Sequence, residues 1–359
     1  MLLVLAAGLL MGTSFAKPVA PTTKVGVLLS SSGPLWFTSA IEKTAVQLAV
    51  DDLRDLNSEN ISLVFDDAGD TDQEAKAAMQ RFRSSGVDAI LAPLDTDSAV
   101  RIAKYNQENP VPIIAPSSLE ENVSSPIQGK NWFFRLASTT TQDASTLAKY
   151  IAKTKPGLVL IATDQDDYSR LVSRMVNLGL VFRGIRVQQY GITEYKKIRQ
   201  TKPDAFVLVS LESSIDFFQS MNDWVSDLNQ GYLVAGNLAN YSTYTWAKSL
   251  TGFKALSATD NVPASFKNRM ALAVNRPALV KGSNSNLFGL AYRSYQAITT
   301  IYQAAQESKD LRSGIAGSKN DSAANFDGAG YFLGQGYAIF RYGNTGTYSQ
   351  VGYLAPNSP

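Results

Sequence analysis

The chain contains neither cysteine nor histidine in its 359 residues. Without cysteine there is no disulfide framework, no thiolate zinc site, no cysteine nucleophile and no lipid-accepting cysteine after a leader. Without histidine the commonest general base and the commonest metal ligand are missing, and a serine–histidine–acid triad is excluded. These absences disfavour an enzyme, and we expect no catalytic residue, metal site or cofactor.

A strong charge of either sign is missing as well. The chain has 33 Lys and Arg against 31 Asp and Glu, a formal net charge of +2. No long basic run offers an electrostatic footprint for a phosphate backbone, so nucleic acid is not an expected partner. The composition, 45% hydrophobic and 18% charged, is that of a globular protein with a sizeable core. The length fits two α/β domains of roughly 150 residues each.

Long apolar runs are confined to the opening stretch MLLVLAAGLLMGTSFA. It ends in Ser14-Phe15-Ala16, a small-x-small pattern that a signal peptidase can cut before Lys17. The alternative is a buried helix, which the linker-like Lys17-Pro18 disfavours. We therefore expect a signal peptide over residues 1–16 and a periplasmic or otherwise secreted monomer. No later stretch approaches the roughly 18 to 20 apolar residues of a membrane span.

After the leader, short Val, Ile and Leu runs alternate with longer segments of helical period. This alternation is typical of βαβ units around a parallel sheet and predicts an α/β fold. Capping-box spacing at Ser39–Glu42 and at Thr71–Glu74 predicts two helix starts. The strands that we predict span 24–29, 87–94, 111–115, 158–162, 185–190, 205–210 and 232–235.

Polar residues follow most of these predicted strands. Ligands of open parallel sheets bind beyond the carboxyl ends of the strands, where helix N-termini present free N–H groups. Hydroxyl and N–H groups there suit a carboxylate, and a carboxylate or amide opposite suits an ammonium group. Helix capping is the alternative role for each Ser or Thr. The segments concerned are Ser30–Ser32, Asp95–Ser98, Ser117–Ser118, Asp164–Tyr168, Ser210–Glu212 and Gly236–Asn237.

Two acidic groupings have other interpretations. The cluster of Asp66, Asp67, Asp70 and Asp72 resembles a metal patch, but its spacing does not fit a calcium-binding loop. A carboxylate pair of Asp164 with Glu212 would be the remaining basis for an enzyme, and no motif supports it.

Five segments carry a family resemblance. The chain resembles the leucine/isoleucine/valine-binding proteins, which are type I periplasmic receptors of ABC transporters for branched-chain amino acids and amides. The resemblance implies two Rossmann-like lobes joined by a three-segment hinge. The first lobe would comprise 24–136 plus 258–325, and the second 137–257 plus 326–354. The matching segments are KVGVLLSSSGP, LVFDDAGDTDQEA, GVDAILAPLDTDSA, PVPIIAPSS and TDQDDYS.

The resemblance also implies roles for particular residues. Thr96, Ser117 and Ser118 match first-lobe groups that hold a ligand carboxylate by hydrogen bonds. Tyr168 matches a second-lobe tyrosine that closes on the ligand, and Trp36 lies in a loop that supplies an aromatic wall in similar proteins. A core position is the alternative for Trp36.

The chain departs from the family pattern where the ligand ammonium would bind. Asn237 stands where the amino-acid receptors have an acidic residue. Glu212 or Asp95, each after another strand, would be able to supply the charge, and surface solvation is the alternative for both. The ligand is therefore expected to be an amino acid, an amide or a related small carboxylate.

Two functions follow from these expectations. The first is a receptor that captures a small polar ligand between its lobes and delivers it to the membrane permease of an ABC transporter. The second is a ligand-sensing or protein-binding regulator of an envelope enzyme that uses the same fold with a degenerate cleft. Fold analogy does not decide between them.

Overall fold

The computed structural model describes most of the chain after the opening stretch. The described residues are 22–30, 39–55, 61–94, 96–117, 123, 127–210, 214–234, 251–259, 262–274, 285–318, 326, 336–342 and 348–354.

The first half of the chain forms a five-stranded parallel sheet with the strand order β2-β1-β3-β4-β5. Val25, Val27 and Leu28 in β1 are all fully buried, because helices cover both faces of the sheet. Its strands are β1 (Thr23–Leu29), β2 (Ile61–Asp67), β3 (Ala89–Leu91), β4 (Ile113–Ala115) and β5 (Phe133–Arg135). The helices between them are α1 (Ser39–Asp55), α2 (Asp72–Ser84) and α3 (Thr96–Tyr105).

The second sheet has seven strands in the order β12-β11-β10-β9-β8-β6-β7. The pairs among β6 to β10 are parallel, whereas β11 and β12 pair antiparallel at one edge. The strands are β6 (Leu158–Thr163), β7 (Arg186–Gly191), β8 (Ala205–Val209), β9 (Gly231–Val234), β10 (Lys254–Thr259), β11 (Gly336–Tyr342) and β12 (Tyr348–Leu354). The helices of this half are α4 (Thr140–Ala152), α5 (Asp167–Val181), α6 (Tyr195–Gln200) and α7 (Ser214–Ser226).

Between β10 and β11 the chain returns to the first sheet. It forms α8 (Ala264–Ala273), α9 (Ser285–Glu307) and α10 (Leu311–Gly317) there. Ile298 and Ile301 of α9 lie in one core cluster with Val25 of β1 and Leu91 of β3. The chain therefore passes between the sheets after β5, after β10 and before β11. This α/β architecture with parallel sheets confirms the predicted fold class.

The starts of three helices show which predicted capping boxes form. The capping box at Thr71–Glu74 is confirmed, with Glu74 N 3.2 Å from Thr71 Oγ1 and Thr71 N 3.0 Å from Glu74 Oε2. At the other predicted box, Ser39 is the first residue of α1 rather than its N-cap, and its hydroxyl donates to the Ser30 carbonyl at 2.5 Å. A box that we did not predict, Thr139 with Gln142, starts α4.

Long apolar helices of the kind that cross a membrane do not occur in the described ranges.

Candidate ligand site at the strand ends

The carboxyl ends of β3, β4 and β5 lie side by side in the first sheet. The N–H of Ala92 donates to the Ile114 carbonyl at 2.9 Å, and that of Leu136 donates to the Ala115 carbonyl at 2.8 Å. These bonds continue the ladder one residue past the strands, so the residues that follow emerge at one edge. Ser117 follows β4 at this edge, and Thr96 starts the helix that comes after β3.

Ser117 is buried, with 8% of its surface exposed. Its Oγ has no hydrogen-bond partner in the described part of the protein. A buried hydroxyl without a partner costs about 1 to 3 kcal/mol, which a bound acceptor or donor recovers. Ser117 therefore presents an open hydrogen-bonding group where the predicted site lies.

Thr96 is the first residue of α3, so the free N–H groups of the first helical turn point towards the same edge. The positive end of the helix dipole favours a negative group there. Within α3, Arg101 Nη2 donates to the buried Ser98 hydroxyl at 2.9 Å, and this hydrogen bond stabilises one turn of the helix.

In the second sheet the ends of β6 and β8 are tied together by a buried pair. Asp164 is 7% exposed and Ser210 is fully buried, and the Ser210 hydroxyl donates to Asp164 Oδ2. The N–H of Asp164 donates to the Val209 carbonyl at 3.0 Å. Asp164 thus fixes the relative position of two strand ends. Glu212, which would form the carboxylate pair of an enzyme with Asp164, lies outside the described residues.

Helix α5 begins at the same edge of the second sheet. The Asp166 carboxylate caps the helix by accepting from the N–H of Ser169 at 2.8 Å. Thr163, the last residue of β6, donates its hydroxyl to the Ser169 carbonyl at 3.1 Å. Tyr168 is the second residue of this helix, so its backbone lies at the strand ends.

The predicted site residues fall into three groups. Ser117 has a described, buried side chain, and Thr96 and Tyr168 are placed by their backbone at two helix starts. The other five lie outside the described residues, namely Trp36, Asp95, Ser118, Glu212 and Asn237.

Sequence reasoning missed a tyrosine at the passage from the first sheet to α4. Tyr337 of β11 is 8% exposed, and burial, reinforced by the nearby Asp143 carboxylate, raises the pKa of its phenol. The C-terminal segment is rich in Gly and Tyr, but this composition does not show which tyrosine is buried.

The acidic cluster at the end of β2 and the start of α2 forms ion pairs. Arg81 donates to Asp66 twice, from Nε at 2.6 Å and from Nη2 at 2.8 Å. Lys104 Nζ lies 3.0 Å from Asp72 Oδ2. The hydrogen bond from the Tyr105 hydroxyl, followed by that from Lys104, lowers the pKa of Asp72. In the ranges that the structure covers, no three acidic side chains are grouped closely enough to hold a metal ion.

The chain passes three times between two mainly parallel sheets, and polar residues follow the ends of their strands. These features define a two-lobed α/β binding protein. The chain belongs to the periplasmic binding protein family, whose model matches residues 22–230. This match confirms the resemblance to the type I periplasmic receptors. A search of the curated proteins found no match.

Several solved structures share the fold. A leucine binding protein from Thermotoga maritima is 18% identical, with a TM-score of 0.70 over 94% of this chain and 99% of its own. A Desulfitobacterium hafniense ABC transporter substrate-binding protein, in complex with leucine, is 15% identical with a TM-score of 0.71, covering 92% and 100%. The branched-chain amino acid transporter substrate binding protein of Streptococcus pneumoniae, in complex with isoleucine, is 17% identical with a TM-score of 0.69, covering 93% and 99%.

Proposed function

We propose that this protein is an extracytoplasmic solute receptor that closes two lobes on an amino acid, an amide or a related small carboxylate and delivers it to an ABC transporter. The observation that carries the proposal is the buried hydroxyl of Ser117, which has no hydrogen-bond partner among the described residues and lies at the same edge as the start of α3. The family is one of solute receptors rather than enzymes, and the proposal includes no chemical step.

The first lobe provides the acceptor-binding half of the proposed site. Thr96, Ser117 and Ser118 donate hydrogen bonds to the ligand carboxylate or carbonyl, together with the first N–H groups of α3. A helix N-terminus with hydroxyl groups is a suitable environment for such an oxygen, because both the dipole and the donors favour negative charge.

The second lobe closes the proposed site. Tyr168, at the start of α5, covers the ligand, and Asn237 takes the position of the acidic residue that contacts an ammonium group in the amino-acid receptors. Glu212 or Asp95 supplies a charge for a cationic ligand, and Trp36 forms an aromatic wall. Asp164 holds the strand ends in place, because Ser210 donates to it.

Closure follows from the division into lobes. We propose a first lobe of 24–136 plus 258–325 and a second of 137–257 plus 326–354, with the three crossings as the hinge. A ligand that contacts both lobes binds the closed state better than the open one and thereby shifts the population towards it. We further propose that residues 1–16 are a cleaved signal peptide and that the receptor works outside the cytoplasm. Structural relatives bound to leucine and isoleucine support this choice of ligand class.

The proposal is tested by native mass spectrometry of the protein as purified, followed by thermal-shift screening of the stripped protein against amino acids, amides, urea and small carboxylates. We expect a retained mass or a ligand that raises the melting temperature, since a ligand at 100 times its Kd stabilises by about 2.7 kcal/mol. An empty protein that no compound stabilises would contradict the proposal. Recovery of a non-transporter envelope protein in a pull-down would then favour the regulator.

A further inference from the structure

The proposed ligand site lies where the strands of the second sheet end, and it does not use the opposite edge, where the strands begin. At this edge β6, β7 and β8 begin: Leu158 of β6 pairs with Arg186 of β7, and the N–H of Asp204 donates to the Leu158 carbonyl at 3.0 Å. Asp164 and Ser210 lie at the opposite edge. A strand rises about 3.3 Å per residue, so the length of β6 separates the two edges by roughly 17 Å.

Helix α5 ends at this edge with apolar side chains in solvent. Leu178 is 41% exposed, Val181 is 54% exposed and Phe182 is 86% exposed. They are spaced three and four residues apart and therefore share one side of the helix. A phenylalanine with most of its surface in water forgoes the stabilisation that burial would bring.

The helix end that presents these side chains is rigidly built. The N–H of Ile185 donates to the Leu180 carbonyl at 3.2 Å, and that of Gly184 donates to the Val181 carbonyl at 2.9 Å. Gly184 has a φ of 75°, the left-handed conformation that this C-cap motif requires. Val181 and Phe182 are thus held in place by the backbone.

The same motif ends α2, where it provides an internal comparison. The N–H of Val87 donates to the Phe82 carbonyl at 3.1 Å, and that of Gly86 donates to the Arg83 carbonyl at 3.0 Å. Arg83 and Ser84 occupy the positions that Val181 and Phe182 occupy in α5. The motif works with polar residues there, so the exposed apolar pair is not needed to end the helix.

Exposed cations lie on the chain segments that end or begin near the apolar tip. Lys153 and Lys155 follow α4, Arg183 follows Phe182, and Arg186 begins β7. Helices α4 and α5 run close together, since a Cβ on Gly179 would lie 2.7 Å from that of Ala148, and their ends therefore lie side by side. Across the described residues, no ion pair involves these four cations.

The Asp204 carboxylate lies at this edge and is engaged with the backbone. Asp204 Oδ2 accepts from the N–H of Leu158 at 2.9 Å. Both arginines are partly engaged as well: Arg186 Nε donates to the Gly157 carbonyl at 3.2 Å, and Arg183 Nη1 donates to the Gly179 carbonyl at 2.6 Å. Within the described residues Lys153, Lys155 and Arg183 form no ion pair, so the ends of α4 and α5 carry positive charge beside the apolar tip. We call the set of Lys153, Lys155, Val181, Phe182 and Arg183 the basal surface.

We propose that the basal surface docks on an anionic lipid surface. Phe182 and Val181 enter the interface between headgroups and acyl chains, while the three cations stay at the level of the headgroup charges. Apolar and aromatic side chains combined with Lys and Arg are the combination that binds proteins at membrane surfaces. A second copy of the chain fits less well, because a two-fold contact would bring the cations of both copies together.

Lipid docking through this surface leaves the ligand site accessible, because the strand ends lie at the other edge of the sheet. The proposal does not depend on the identity of the ligand. The two proposals therefore fail independently: loss of lipid binding leaves the thermal shift by the ligand unchanged, and the reverse holds.

The experiment is co-sedimentation of the protein, purified after export, with vesicles of phosphatidylglycerol or of phosphatidylcholine at low salt. We expect binding to phosphatidylglycerol vesicles and weak or no binding to phosphatidylcholine vesicles. High salt should release the protein, because the electrostatic part of the attraction is screened.

Two variants test the surface itself. The variant with Lys153→Gln, Lys155→Gln and Arg183→Gln should bind phosphatidylglycerol vesicles roughly 100-fold more weakly, about fivefold for each charge. The variant with Val181→Ser and Phe182→Ser should bind on the order of tenfold more weakly, since it removes the inserted groups. Unchanged melting temperatures show that both variants fold.

Matched controls lie in the other half of the protein. Leu272→Ser changes an apolar side chain that is 76% exposed on α8. The variant with Lys76→Gln, Lys130→Gln and Lys309→Gln removes the same charge from exposed positions elsewhere. Both controls should bind like the wild type. The proposal is overturned if the wild type does not sediment with phosphatidylglycerol vesicles, which would leave an acidic protein as the partner, or if the controls lose as much binding as the basal variants.

Discussion

Ser117 is the side chain on which the proposed binding site rests. Its hydroxyl is buried and unpartnered within the described part of the protein, whereas the buried hydroxyl of Ser173 donates to the Arg170 carbonyl at 3.1 Å and accepts from Gln189 Nε2 at 3.0 Å. Two buried serines thus differ in whether the fold itself uses their hydrogen-bonding capacity. The difference is consistent with a stabilising role for Ser173 and a ligand-binding role for Ser117.

We expect Ser117→Ala to weaken ligand binding by about 1 to 2 kcal/mol without lowering the stability of the ligand-free protein, because the mutation removes a hydroxyl that the empty protein leaves unsatisfied. Melting temperatures with and without the ligand found by screening measure both effects.

Ser173→Ala is the matched control, and it should show the opposite pattern. It breaks a satisfied buried hydroxyl, so the ligand-free protein should lose about 1 kcal/mol of stability while its ligand affinity stays the same. If Ser117→Ala destabilises the empty protein and leaves affinity unchanged, Ser117 is a packing residue and the site assignment is wrong.

At the scale of elements, Asp52 holds together helix α1 and two helices of the segment that returns to the first sheet. Arg269 of α8 donates to it from Nη1 at 2.8 Å and from Nη2 at 2.6 Å, and the Tyr295 hydroxyl of α9 donates at 2.8 Å. The hydrogen bonds from Arg269 hold the pKa of the Asp52 carboxyl below its usual value. Burial, followed by the hydrogen bond to Asp52, raises the pKa of Tyr295 to about 12. This cluster attaches the returning segment to α1.

We expect Asp52→Asn to lower the free energy of unfolding at pH 7 by about 1 kcal/mol, since the pair is partly exposed but bidentate. The folded pKa of Asp52 is depressed, so its contribution is fully present above the unfolded pKa of about 3.9 and is lost as the pH falls through the folded value. The difference between wild type and variant should therefore shrink below about pH 4. Urea unfolding over a pH series measures it.

Asp51→Asn controls for the loss of one carboxylate from α1. Asp51 lies 3.9 Å from Arg54 with half of its side chain exposed, so its removal should change stability little at any pH. An effect of Asp52→Asn that is the same at neutral and acid pH would show that the ion pair does not contribute.

Element prediction succeeded where the local signal was strong. The Thr71–Glu74 box is a local interaction, and the structure confirms it. We did not predict β2, whose run ends in Asp66-Asp67 and whose residues are only partly buried at the edge of the sheet. The short helix α6 and strand β10 were also missed, because six residues carry little periodic signal.

At the scale of the whole molecule, the proposed function requires a change of shape. A compact chain of this length has a radius of gyration of about 21 Å. We expect small-angle scattering to give a larger value for the ligand-free protein and a decrease towards the compact value when the identified ligand is added, because closure brings the lobes together.

The Ser117→Ala variant provides the control for this scattering measurement. At a ligand concentration between the two Kd values it should remain mostly open while the wild type closes. A radius of gyration that does not respond to saturating ligand would contradict closure as the mechanism, even if the ligand raises the melting temperature.

Composition and local pattern were sufficient for the fold class and the family. The missing cysteine and histidine, the alternation of apolar runs with helical segments, and five short matching segments are properties of the chain in one dimension. They could be used without knowing which residues meet. The same holds for the strand-end rule, which directed attention to Ser117 before its burial was known.

The remaining features depended on how distant segments pack together. The bond from Ser210 to Asp164 and the attachment of α8 to Asp52 join residues that are far apart in sequence. That Ser117 is buried without a partner among the described residues depends on what covers it. The apolar tip of α5 also emerged from the structure, because Val181 and Phe182 look like core residues in the sequence. Exposure and long-range pairing are results of packing, and packing is decided by the tertiary structure.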